Sequence, residues 1–69
     1  MEKDWEKIFS SPLQLKVEMM KSLLAQSEIE SIIINRQDSF YKSLGEIELY
    51  VKRENILKAI QIINKAAGE

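Results

Sequence analysis

The chain has 69 residues with ten basic and eleven acidic side chains, a net charge of −1, and neither cysteine nor histidine. A single domain over 1–69 is expected, close to the size at which one core barely suffices, held by packing or association because no disulfide can form. The missing residue types exclude zinc, haem and iron–sulfur centres of the usual kind and Cys- or Ser–His nucleophilic mechanisms, and near-neutral charge lacks the positive field that nucleic-acid binding needs.

Trp5 to Phe9 is aromatic and β-prone, and Ser10-Ser11-Pro12 stops it, so it is read as strand one. Ser11 before Pro12 is a favourable helix start, because serine caps free amides and proline fits the first helical position. Leu13, Val17, Met20 and Leu24 then recur on one helical face, which predicts a helix from Pro12 to Gln26. Leu15, Met19 and Leu23 form a second apolar row beside and behind that face. Two readings compete for it: a self-association surface, or a core margin with Leu15 alone exposed.

Glu28 to Asn35 contains Ile32-Ile33-Ile34, whose β-branched side chains suit a buried strand. Arg36 to Leu44 has no period and is expected to be a connecting loop. Asn35, Arg36, Asp38, Phe40, Tyr41 and Lys42 make it the candidate partner-binding segment, since loops on rigid strands often carry recognition. The alternative is an ordinary hairpin loop with Phe40 or Tyr41 packed back on the core. Gly45 to Val51 alternates: Ile47, Leu49 and Val51 face one way, and Glu46, Glu48 and Tyr50 the other. The period then lengthens, and Ile56, Ala59, Ile60, Ile63 and Ala67 predict a second helix over Glu54 to Ala67.

The order βαββα, with a right-handed crossover after strand one, predicts an α+β ferredoxin-like sandwich lacking its last strand. Its sheet is expected to be three-stranded, antiparallel and ordered 1-3-2, with both helices on one face. Strand one is then an edge that could pair with its own copy, although Glu6 and Lys7 oppose this. Glu46 and Glu48, and Glu28 and Glu30 if register permits, could serve acid–base or Mg²⁺/Ca²⁺ chemistry, but an open sheet face favours simple solvation.

Trp5, Ile8-Phe9-Ser10-Ser11-Pro12, the block Val17 to Leu24, Ile29, and Gly45 to Val51 with Ala59 together resemble a bacterial family of small prokaryotic signal-transducing proteins. That family is a domain of unknown function, and the resemblance spans roughly residues 5–65. It implies a fold related to the nitrogen-regulatory PII proteins and a sensing or partner-binding role. In PII proteins the strand-two to strand-three loop is long and touches partners, whereas here only Arg36 to Leu44 connects them. The last PII strand is absent as well, so no nucleotide-binding residue carries over.

The longest apolar run, Ile32 to Ile34, is far too short to span a membrane, and residues 1–9 are too charged for a secretory signal. A cytoplasmic, non-catalytic binding or regulatory module is therefore expected, acting through an unknown protein partner and forming a homodimer, with no cofactor, metal, nucleic acid or membrane. The alternative is a sensor that binds a nucleotide or metabolite between subunits.

Overall fold

A computed structural model of the chain describes residues 4–37 and 45–68. The elements run β1 (Trp5–Ser11), α1 (Gln14–Gln26), β2 (Ser31–Asn35), β3 (Ile47–Lys52), a 3₁₀ turn (Arg53–Asn55) and α2 (Ile56–Gly68). The three strands form an antiparallel sheet in the order β1-β3-β2. This is the expected α+β arrangement, with β3 at its centre.

Alternation explains why β3 is central. Ile47, Leu49 and Val51 are each 1% exposed or less and share the core with Val17, Met20 and Leu24 of α1, Ala59 and Ile63 of α2, and Ile29. Both helices thus cover one face. Fully burying a side chain of this kind contributes about 1.5–3 kcal/mol. Glu48 and Tyr50, on the other pleat, lie on the face without helices.

The predicted boundaries shift for identifiable reasons. β1 continues through Ser10 and Ser11, which pair with Glu48 and Ile47. The stop comes at Pro12, which has no N–H to give. Helix α1 starts at Gln14 because Leu13 is extended at φ −98° and ψ 111°. Ser11 Oγ does not cap the helix from the adjacent position; it accepts the Leu13 N–H at 3.1 Å, two residues on. Leu13 consequently leaves the core stripe and is 63% exposed. In α2, Ile56 packs against the buried cluster as its spacing predicts, whereas Ile60 and Ala67 face outward and Ile62 packs inward instead.

The strand expected from Glu28 begins only at Ser31, because α1 closes in a Schellman motif. Ile29 N–H bonds Leu24 O at 2.9 Å and Glu28 N–H bonds Ala25 O at 3.0 Å, with Glu28 at φ 62°. Ile29 and Leu24, the apolar pair of that motif, are both buried. Glu28 therefore pays a left-handed backbone penalty that glycine avoids.

β1 carries one irregularity, a bulge between Lys7 and Phe9. The extra residue lets Ile8 and Phe9 both pack against the core. It also puts Lys7 opposite Tyr50 and Ser10 opposite Glu48, so that both share the open face despite their odd–even spacing.

Gly45, ahead of β3, has φ 84°, and a Cβ there would collide with the Arg36 carbonyl oxygen. Two substitutions should accordingly move stability in opposite directions. Glu28→Gly should raise it by up to about 1 kcal/mol, and Gly45→Ala should lower it by about 1–3 kcal/mol. Urea titration of the purified variants measures both; equal signs would contradict the backbone account.

Candidate functional site

The helix-free face of the sheet gathers polar side chains around Glu48. β3 supplies Glu48 and Tyr50, β1 supplies Lys7 and Ser10, and the chain leaving β2 supplies Arg36. Glu48 Oε1 accepts from Tyr50 Oη at 2.7 Å and from Arg36 Nε at 2.9 Å. Its other oxygen lies 3.5 Å from Lys7 Nζ. Ser10 Oγ donates to Glu46 Oε1 at 2.7 Å. At the far end, Lys52 Nζ sits 3.9 Å from Glu30 and 5.9 Å from the centre of the Trp5 ring. Ile32 and Ile34, opposite Tyr50 and Glu48, complete the face on the β2 side as half-buried apolar neighbours.

The geometry fixes the charge state at the centre. The Tyr50 hydroxyl first, then Arg36, and more weakly the Lys7 charge hold the Glu48 carboxyl below its ordinary range, against a smaller opposing effect of desolvation. Arg36 is correspondingly held protonated above its ordinary value, first by its hydrogen bond to Glu48 and then by Tyr50. The Lys7 and Arg36 side chains are about half exposed, so these pairs orient the face more than they stabilise the fold. A carboxylate kept ionised in this way is a structural anion and a weak base.

Of the candidate partner-binding residues, Asn35 and Arg36 are described, and Asp38, Phe40, Tyr41 and Lys42 lie outside the described residues. Asn35 Oδ1 accepts the Gln37 N–H at 2.8 Å, which turns the chain as it leaves β2. Gln37 Nε2 in turn donates to Pro12 O at 2.8 Å across the end of the sheet. Arg36 Nε is bonded to Glu48. Both exposed loop-base residues thus have structural partners.

Leu15, Met19 and Leu23 lie together on the outer side of α1. Leu15 is 74% and Met19 57% exposed, while Leu23 is half-buried against the core. They line a shallow groove with Glu18, Ser22 and Gln26. Leu23 also borders a second groove with Ile62, Lys65 and Ala66 of α2. The two grooves meet at Leu23 and form one apolar strip across the helix layer.

Glu46 and Glu48 stand on the open face as expected, but Glu28 is in the helix-terminating turn, and Glu30 sits beside Lys52. Among the described residues, no group of three or more His, Cys, Asp or Glu is placed to hold a metal ion. No described helix is long and apolar enough to cross a membrane. Lys7, Ser10, Ile32 and Ile34 were not legible as members of this face, because the bulge resets the parity of β1 and an unbroken apolar run hides the parity of β2. No protein-family model matches the chain, and neither curated proteins nor solved structures provide a match.

A lowered carboxyl pKa contributes stability that is complete above the unfolded value, about 4.3, and disappears as pH falls through the lower folded value. Tyr50→Phe removes the largest cause of the lowering. Its loss of stability between neutral pH and pH values below the ordinary carboxyl range should therefore be smaller than that of the wild type. Urea titrations at a series of pH values test this; identical acid limbs would remove Tyr50 as the dominant cause.

Proposed function

We propose that the chain is a small non-catalytic binding or regulatory module that works in signal transduction through contacts with other proteins. The observation that carries this reading is the strip formed by Leu15, Met19, Leu23 and Ile62, where Leu15 and Met19 stand in solvent beside the half-buried Leu23 and Ile62. In a domain this small, exposed apolar side chains of this size are better used at a contact than left in water. The state of Glu48 agrees with a role other than acid–base catalysis, since its neighbours drive its pKa away from neutrality.

A bacterial, cytoplasmic protein of PII-like descent belongs to the same proposal and rests on the resemblance of residues 5–65. The chain leaving β2, with Asn35, Arg36, Asp38, Phe40, Tyr41 and Lys42, forms a second part of the partner surface in this reading. Its base is held in one direction by the Arg36–Glu48 contact, so the segment starts from a fixed point.

Affinity capture with the wild type, Leu15→Glu and Met19→Glu tests the helix strip, because a charge on either residue should abolish binding without touching the core. Phe40→Ala with Tyr41→Ala tests the loop in the same assay. Partners retained undiminished by all of these variants would sink the proposal. A thermal-shift panel of nucleotides gives the opposing result: a rise of several degrees with one of them would identify a small-ligand sensor instead.

A further inference from the structure

Among the described residues, β2 is an outer strand of the sheet, and its free margin differs in kind from that of β1. β1 carries Glu6, Lys7 and the bulge at Ile8, all of which discourage an added strand. β2 reads Ser31-Ile32-Ile33-Ile34-Asn35, with no charge, no proline and an unbroken register against β3. The Arg36 N–H bonds Glu46 O at 3.0 Å, which sets the phase of the ladder. Ile32 and Ile34 then bond inward to β3, and Ser31, Ile33 and Asn35 turn their backbone N–H and C=O outward.

We propose that this margin pairs with the same margin of a second copy, antiparallel about a two-fold axis at Ile33. The joined sheet runs β1-β3-β2-β2-β3-β1. In that register Ile33 opposes Ile33 of the second copy, Ser31 opposes Asn35, Ile32 opposes Ile34, and Glu30 opposes Arg36. The hydrogen-bonded pairs fall on Ser31, Ile33 and Asn35, the residues with outward backbone groups. The closer, non-hydrogen-bonded pairs fall on the open face, where apolar meets apolar and Glu30 meets Arg36.

The neighbouring two-fold registers lose this match. Shifted one way, Ile32 faces Arg36; shifted the other, Ile34 faces Glu30. Charge complementarity therefore selects one register. Glu30 already lies 3.9 Å from Lys52 and Arg36 2.9 Å from Glu48, so the new pairs join two existing clusters into a continuous alternation of charge across the joint. The pairing is independent of the helix strip, which lies on the other layer.

The chain has no cysteine, so introduced thiols report the register cleanly. Light scattering on the wild type should give twice the single-chain mass of 8.0 kDa. In an equimolar mixture of Ile32→Cys and Ile34→Cys chains, oxidation should give the mixed disulfide well above its statistical half. The mixed pair has Cα atoms about 4.5 Å apart, whereas each like pair is displaced by about 7 Å along the strand. Met19→Glu should leave both results unchanged, and Ile34→Lys should give a monomer with native circular dichroism. A monomeric wild type, or a statistical distribution of disulfides, would overturn the pairing. A dimer that Met19→Glu dissolves would overturn it too, placing self-association on the helix strip.

Discussion

The burial of Ile47, Leu49 and Val51 beneath two helices is the constraint on which the rest of the molecule depends. β3 has a strand on each side, and its inward side chains form the floor on which α1 and α2 both rest. Three strands with one covered face are near the minimum for an independent sheet. Moving β3 by one residue would bring Glu48 and Tyr50 into the core and carry three apolar side chains into water. The cost of that slip fixes the register of the centre, and β1 and β2 take theirs from it.

From this register the open face follows with little freedom. Once Leu49 points inward, Glu48 and Tyr50 must point outward, and the bulge in β1 brings Lys7 and Ser10 to meet them. The resulting carboxylate has its hydrogen-bonding and charge requirements met by Tyr50, Arg36 and Lys7. A group so fully engaged has little left to offer a ligand, because any newcomer must first displace an existing partner. The middle of the face is therefore a closed network, and the unspent capacity lies at its margin and on the opposite layer.

What could be read from the sequence, and what could not, follows the same physics. β3 was legible because a central strand with one dry and one wet face leaves a clean period of two. β2 was legible as a strand, yet Ile32-Ile33-Ile34 carries no parity, so its faces emerged only from pairing with β3. The second row on α1 was visible in the spacing of Leu15, Met19 and Leu23, but its exposure depended on where α2 packs. Leu13 shares the helical spacing of Val17, Met20 and Leu24, but its extended backbone takes it out of the helix and off the core face. The bulge at Ile8 left no local sign, since it is a mismatch in count between two strands distant in sequence. Asn35 and Arg36 look like free recognition residues in the sequence; their partners, Gln37 and Glu48, become visible only with the turn and the sheet in place.

The two margins of the sheet show why a truncated sandwich need not be symmetric in its risks. An outer strand offers unpaired backbone groups to any extended segment, and charge, bulges and proline are the ordinary ways to discourage this. β1 has two of these devices and β2 has none within Ser31–Asn35. The flanking positions Glu30 and Arg36 are charged, but with opposite sign and at equal distance from Ile33. A pair of like charges there would repel an antiparallel copy, whereas this pair attracts one, and a copy shifted to either neighbouring register sets a charge against an isoleucine. In the proposed pairing, the same two residues that make the ends of β2 soluble thus favour one register against its own sequence.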